Sequence, residues 1–383
     1  MRKQYREFKQ RDYWLVVALW SFFQAIWYWY LGVEFGLESS KYIEEAQFVL
    51  DNHHLSQSRY LFYFATIAVI ALAKILHLGL YGALLIIMVI NLACYLYLFK
   101  ALRNLFSSRM PALLTVGILL SFWPFQSWSL FLFTECLFYS LVLVLFSHLL
   151  LFQKLDGKFL IRTGLILCLL TITRPLGILF CVPTLLFVFF KLSKRQRLIF
   201  FLAGLLFLVL LNFVVQVVFT TTSDWNMTRA LTEDSIICDM PRNDATSHLD
   251  LTQHPNQFYQ LFYYVTHNFS HFAGLALIRL KYFFLLTRTY YSSFHNIYLI
   301  VYLIFIYGGI LTGLKRMTRF LSPSMNWFLF SSIFIFAATI ALQCDDYHNR
   351  FFLTLTPFLV VMAVIAYWPL IKRITFFSRS HKG

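Results

Sequence analysis

Long apolar runs separated by short polar segments dominate this chain. Runs of roughly 18 or more apolar residues recur, and a helix of that length crosses a hydrocarbon core of ~30 Å. The sequence therefore predicts an all-α polytopic membrane protein with about ten transmembrane helices in a single integral membrane domain, residues 1–383. The predicted spans lie near residues 12–33, 80–99, 112–128, 131–152, 160–173, 175–190, 198–219, 297–314, 325–342 and 351–370.

Composition agrees with this interpretation and limits the function classes. Apolar residues make up 60% of the chain and charged residues 13%, whereas soluble domains are roughly half apolar and about a quarter charged. The net charge of +15 does not indicate nucleic-acid binding, because the basic residues sit in short clusters between apolar runs. Basic clusters of that kind are typical of cytoplasmic loops. They lie at residues 2–11, 100–109, 154–162, 191–197, 315–319 and 372–382.

With those clusters in the cytoplasm, the predicted spans alternate consistently. Residues 60–78 are the exception, because a span there would place residues 100–109 outside. We therefore expect an interfacial helix at this position, and an eleventh span is the alternative. Two large exocytoplasmic loops follow, at about 34–79 and about 220–296. Each carries an amphipathic interfacial helix, the second one within 271–288.

Most of the 17 acidic residues fall on the outer side, which indicates chemistry there. Glu38 opens the first outer loop, in a segment whose spacing predicts a short helix with Tyr42 and Ala46 on the face that carries Glu38. An acid in the first helical turn, favoured by the helix dipole, is the alternative interpretation.

Glu135 and Arg174 are predicted at the outer level of two spans. An ionisable group within a membrane helix costs roughly 2.5–3.5 kcal/mol at the helix centre on insertion scales, so such groups face a partner or a wet cavity. The two residues are natural partners, either as a structural ion pair or as part of a site.

A third polar group opens the last span, where Asp345, Asp346, His348 and Arg350 crowd into six residues. Arginine suits phosphate because it donates two parallel hydrogen bonds. No metal motif is evident, and Asp345, Asp346 and His348 are the residues that could hold a divalent cation. Of the six cysteines, Cys238 and Cys344 lie in polar loops, where a disulfide between them is an open alternative. The other four lie in apolar runs.

These motifs, taken in order, resemble the GT-C membrane glycosyltransferases, in the clade of the protein O-mannosyltransferases and the lipid A aminoarabinose transferases. Glu38, Tyr42 and Ala46 match the first-loop motif of that clade, and residues 60–78 match its interfacial helix. The chain departs from the clade in having Glu38-Ser39 where Asp, often as an acidic pair, is usual, and in lacking the Pro-rich stretch before the interfacial helix. The remaining matches are Thr134-Glu135, the Arg-Pro-x-Gly element at 174–177, and the segment from Arg350-Phe351 to Pro357.

The resemblance implies transfer of a sugar from a polyprenyl-phosphate donor to an acceptor hydroxyl, with inversion, on the outer face of a bacterial inner membrane. The acceptor would be a glycolipid, a polysaccharide or a protein. Glu38 would be the catalytic base, since a carboxylate must remove the proton of the attacking hydroxyl. Tyr42 and Glu135 would bind substrate, and Arg350 would stabilise the departing phosphate, with Arg174, Lys281 and His348 as further candidates.

Two other function classes remain open. A polysaccharide polymerase or ligase would make the histidines of the second loop central: His248, His254, His267 and His271. A lipid-linked sugar transporter or flippase is the other class; transporters often show internal repeats or helices broken in mid-membrane, and neither is clear in the sequence.

Overall fold

The computed structural model describes residues 10–199, 202, 204, 209, 228–238, 240, 248–345 and 348–380. These residues are helical, without β-strands apart from two isolated backbone bridges. The α-helices are α1 (Gln10–Leu31), α2 (Glu38–Asn52), α3 (Phe64–Ile75), α4 (Gly79–Phe106), α5 (Arg109–Ser121), α6 (Trp123–Gln126), α7 (Thr134–Leu150), α8 (Gly157–Thr173), α9 (Cys181–Phe189), α10 (Arg229–Thr232), α11 (Gln257–His267), α12 (Phe269–Leu285), α13 (Ser293–Phe320), α14 (Pro323–Leu342) and α15 (Arg350–Ser380). Three 3₁₀ segments, Ser58–Tyr63, Ser127–Leu130 and Pro175–Phe180, join them.

Six helical segments within the described residues are long and apolar enough to cross a membrane. This confirms the prediction of an all-helical integral membrane protein with several spans. Thr134–Leu150 and Pro175–Phe189 are shorter apolar helices, and the predicted span 198–219 lies largely outside the described residues. The six are Gln10–Leu31, Ser58–Ile75, Gly79–Phe106, Ser293–Phe320, Pro323–Leu342 and Arg350–Lys372.

The predicted span 112–128 is not one straight helix. Arg109–Ser121 and Trp123–Leu130 are bent by 74° at Phe122. The cause is Pro124, which has no N–H to donate and whose ring would clash with the carbonyl of Leu120, four residues before it, in a continuous helix. This break is not clear from the sequence, and Gln126, which is buried, lies just after it.

The chain forms two compact units. The first comprises Met1–Cys181, Phe305–Asn326 and Thr356–Gly383, and the second comprises Val182–Ile304 and Trp327–Leu355.

In the first unit, ion pairs bring the start of α1 beside the end of α4. Asp12, which is buried, pairs with Arg103, and its second carboxylate oxygen lies 3.5 Å from Arg109 Nη1. Deeper in the unit, Asn91 accepts a hydrogen bond from the indole of Trp20 at 2.8 Å and donates to Ser140 Oγ at 2.9 Å. Polar side chains therefore fix the register of α1, α4 and α7.

The segment Ser58–Ile75 lies along the polar helix α2. Near its start, the ring of Tyr63 is 5.5 Å from that of Tyr42. Near its end, Lys74 Nζ donates to Gln47 Oε1 at 3.0 Å and to Ile43 O at 3.3 Å. Contacts at both ends hold the segment beside a helix that is itself too polar to enter lipid.

In the second unit, a buried arginine and a disulfide connect segments that are distant in the sequence. Arg279 is fully buried and donates to the carbonyl oxygens of Ser235, Ala341 and Ala230 at 2.8, 3.0 and 2.7 Å. Cys238 and Cys344 form a disulfide with a Cα–Cα distance of 5.2 Å. The disulfide left open by the sequence is therefore present.

Candidate functional site

Two helix N-termini meet in the first unit, and each has an acid in its first turn. Glu34 N donates to Leu130 O at 3.3 Å, and Leu132 N donates to Glu34 O at 3.5 Å. This backbone bridge holds the start of α2 beside the start of α7. Glu38 is the first residue of α2 and Glu135 the second residue of α7, so both carboxylates lie where a helix dipole favours negative charge.

Glu38 is the accessible carboxylate of this cluster. Its side chain is 28% exposed, and its Oε1 lies 3.0 Å from Lys41 Nζ. The hydroxyl of Tyr42, one helical turn on, donates to the same oxygen at 3.5 Å. The predicted helical face shared by Glu38 and Tyr42 is confirmed.

Tyr42 is buried beside Glu38 and lies within electrostatic range of Glu135. Its side chain is 1% exposed. Burial raises the pKa of Tyr42 well above its ordinary value, and the neighbouring carboxylates of Glu38 and Glu135 raise it further. The phenol therefore stays protonated and serves as a hydrogen-bond donor.

Glu135 pairs with Arg174, as the sequence predicts. The two side chains are 1% and 12% exposed, and the Oγ of Thr134 donates to the other carboxylate oxygen of Glu135 at 3.3 Å. A buried carboxylate with two partners is well satisfied.

The Arg-Pro-x-Gly element explains how Arg174 reaches this position. Arg174 ends α8 in extended backbone, with its N–H on Leu170 O at 3.0 Å, and Gly177 N returns to Arg174 O at 2.9 Å. A Cβ at Gly177 would lie 2.3 Å from the carbonyl carbon of Leu170. Only glycine fits this close approach, so the turn after Pro175 fixes where the guanidinium points.

Tyr63 belongs to the cluster, and sequence reasoning missed it. Its ring contacts Tyr42, and it lies within electrostatic range of Arg174, Glu38 and Glu135. Arg59, exposed on the same 3₁₀ segment, is close enough to act on Tyr63. The signal was present in the Arg-Tyr-x-x-Tyr sequence that enters the apolar run at 59–63.

Two other acids of the first loop, Glu34 and Glu45, have structural roles. Glu34 Oε1 accepts from Gly36 N at 2.6 Å. Glu45 is buried and accepts from both the backbone N–H of Ser56, at 2.7 Å, and its hydroxyl. Glu44 is exposed, so it is the matched control for Glu38.

The remaining predicted site residues belong to the second unit. Lys281 is exposed on α12, His348 is exposed just before α15, and Arg350 is the half-buried first residue of α15. Asp345 is fully buried in an ion pair with Arg288, a partner that the sequence did not suggest.

This ion pair bears on the candidate cation site. Asp345 is committed to Arg288, and Asp346 lies outside the described residues. Within the described ranges, no group of three or more His, Cys, Asp or Glu side chains is placed to hold a metal ion.

The histidines of the second loop have two kinds of environment. His271 Nε2 lies 2.6 Å from Asp234 Oδ1, and its Nδ1 is hydrogen-bonded to the hydroxyl of Tyr264. Burial raises the pKa of Tyr264 to about 12, with a contribution from the carboxylate of Asp234. His254 and His267, by contrast, are exposed and contact tyrosine rings.

No protein-family model, curated protein or solved structure matches this chain.

Proposed function

We propose that the chain is a membrane glycosyltransferase that moves a sugar from a polyprenyl-phosphate donor to an acceptor hydroxyl on the exocytoplasmic face. The observation that carries the proposal is the cluster of Glu38, Tyr42, Glu135 and Arg174, which come from three separate parts of the chain. An ionisable residue within a membrane span is costly and marks a functional site by default, and Glu135 and Arg174 lie at the ends of apolar helices. The order of the motifs, which resembles that of the GT-C clade, supports the same reaction class.

Glu38 is the member of the cluster that can meet a substrate, because Tyr42 and Glu135 are buried. In the proposed reaction the Glu38 carboxylate takes the proton of the acceptor hydroxyl. The acceptor oxygen bonds to the anomeric carbon from one face while the bond from that carbon to the phosphate oxygen breaks on the other, so the configuration inverts. A positioned base of this kind contributes typically ~10²–10⁴-fold.

The departing prenyl phosphate needs a cation. The sequence-derived candidates Arg350, Lys281 and His348 belong to the second unit. In the first unit Arg174 is engaged by Glu135, whereas Arg59 is exposed beside Tyr63. Arg59 is therefore added to the candidates.

Three observations support the proposed topology. The ion pairs of Asp12 join the start of α1 to the end of α4, so an even number of crossings separates them. Ser58–Ile75 lies along the polar α2, which favours an interfacial helix over an eleventh span. The disulfide Cys238–Cys344 suits an oxidising compartment. A protein with about ten spans in a bacterial plasma membrane, with its site facing outward, is consistent with all three observations.

The proposal is tested by mass spectrometry of lipid-linked sugars and glycoconjugates in a strain lacking the protein. We expect a prenyl-phosphate sugar to accumulate and a sugar-modified product to disappear. The wild type and Glu44→Gln should restore both levels, and Glu38→Gln should not. Identical lipid and glycoconjugate profiles with and without the gene would overturn the proposal.

A lipid-linked sugar transporter is the second candidate, favoured by the 74° break between α5 and α6. Transporters often build their sites from broken helices of this type. A transporter would move the donor across the membrane of a vesicle without releasing free prenyl phosphate. A transferase would release prenyl phosphate.

A further inference from the structure

The helix α11 in the second outer loop has three distinct faces. One face packs inward, where Tyr264 forms a small core with Leu231 and Leu275. A second face is apolar and exposed, with Phe258 at 41% and Phe262 at 66%. The third face carries Tyr259, Tyr263 and His267, which recur every four residues and so lie in one row.

Aromatic rings extend this row beyond the helix. The ring centres of His254 and Tyr259 are 4.4 Å apart, those of Tyr259 and Tyr263 are 6.4 Å apart, and those of Tyr263 and His267 are 3.8 Å apart. Tyr259 is 46% exposed, and both histidines are exposed. We call His254, Tyr259, Tyr263 and His267 the aromatic row.

Hydrogen bonds hold the aromatic row in place. The side chain of Asn256 caps α11 by accepting from Phe258 N at 2.9 Å and Tyr259 N at 3.1 Å. Gln260 Nε2 donates to His254 O at 2.6 Å, which ties the preceding loop to the helix. A row held in this way loses little conformational entropy when a ligand binds.

A carboxylate borders the rings. The hydroxyl of Tyr263 donates to Asp250, 3.1 Å from Oδ1 and 3.2 Å from Oδ2. The backbone of Asp250 is in turn fixed by Asn268, whose Oδ1 accepts from Asp250 N at 3.0 Å and whose Nδ2 donates to Asp250 O at 2.7 Å. A carboxylate has about four acceptor sites, so Asp250 retains capacity for hydroxyl groups of a ligand.

The charge of this region selects the class of ligand. Residues 248–278 contain no Lys or Arg. The segment therefore offers an acidic group and neutral rings, which do not suit a nucleic acid or an anionic headgroup. Lipid chains fit the exposed face of Phe258 and Phe262 instead. A neutral polyhydroxylated ligand matches the aromatic row, because the exposed ring of Tyr259 offers apolar surface for its C–H groups, while Asp250 and the imidazoles offer hydrogen-bonding groups for its hydroxyls.

We propose that the aromatic row, with Asp250, binds a neutral pyranose chain. This goes beyond the proposed glycosyltransferase function. Glycan binding itself does not require Glu38.

The test is saturation-transfer NMR on the purified full chain in detergent, with maltoheptaose, cellopentaose, mannopentaose and chitopentaose as probes. At least one probe should bind, and Tyr259→Ala/Tyr263→Ala should weaken its binding about tenfold or more. Phe262→Ala, on the other exposed face of the same helix, is the matched control and should bind as the wild type does. Asp250→Asn tests the carboxylate without removing a ring. Thermal unfolding of each variant identifies loss of fold.

Three outcomes would overturn the proposal: no probe binds the wild type, the double variant binds normally, or Phe262→Ala weakens binding equally. Release of prenyl phosphate from a prenyl-phosphate sugar, measured on the same samples, separates the two proposals. Release that depends on Glu38 without glycan binding would leave the transferase standing and remove the aromatic row. Glycan binding without release of prenyl phosphate would support the aromatic row and remove the transferase proposal.

Discussion

The ion pair between Glu135 and Arg174 gives the sharpest prediction about stability. The two side chains are only 1% and 12% exposed, so water screens neither charge strongly. Glu135→Gln leaves the guanidinium buried without its counter-charge, and Arg174→Gln does the same to the carboxylate. Removing one partner of such a pair typically costs ~3–5 kcal/mol. Each single variant should therefore show a markedly lower unfolding temperature in detergent.

The double variant Glu135→Gln/Arg174→Gln separates the pair from its surroundings. Because it buries no charge at all, it should be less destabilised than the sum of the single variants, with a coupling of ~0.5–3 kcal/mol in a double-mutant cycle. Strictly additive losses, or single variants as stable as the wild type, would refute the reasoning. Normal stability with lost turnover would make both residues catalytic rather than structural.

Three further predictions follow from particular contacts. Gly177→Ala should cost ~1–3 kcal/mol, as overpacking does, because the new Cβ would strike the backbone of Leu170. Gly164→Ala, which has open space around it, is the control. Equal unfolding temperatures of these two variants would contradict the prediction. Arg279→Lys should destabilise the second unit, because an ammonium cannot reproduce the planar fork of donors that binds three carbonyls. Lys281→Gln, at an exposed position, should leave the stability unchanged. Equal thermal stability of the two variants would contradict this role of Arg279. On intact cells, an impermeant maleimide should label Cys238 and Cys344 only after the disulfide is reduced. The same reagent should not reach a cysteine introduced within residues 191–197, and labelling there would overturn the proposed topology.

The parts of the site that could be predicted from sequence were those governed by local spacing or by the cost of membrane charge. Tyr42 follows Glu38 by one helical turn, so their contact follows from helix geometry alone. Glu135 and Arg174 could be paired because each charge in an apolar run requires a partner at the same depth.

The parts that escaped prediction depend on long-range packing. Arg288 is the partner of Asp345, but several cations and acids flank both, and nothing local selects the pair. Tyr63 joins the cluster only because the segment Ser58–Ile75 lies along α2. The break at Phe122 was hidden because hydropathy counts the residues around Pro124 as part of one continuous apolar run, although the proline ends the helix there.

The central claim is that Glu38 is the base. The most direct measurement is a single-turnover assay in which the purified protein releases prenyl phosphate from a prenyl-phosphate sugar. The acceptor in this assay is the fraction identified in vivo. Glu38→Gln keeps the shape of the side chain but cannot take a proton, so donor binding should persist while turnover falls by at least ~10²-fold. Glu38→Asp should retain part of the activity, and Glu44→Gln should match the wild type. Near-wild-type turnover by Glu38→Gln would contradict the account, and Glu34 would then be the next carboxylate to test.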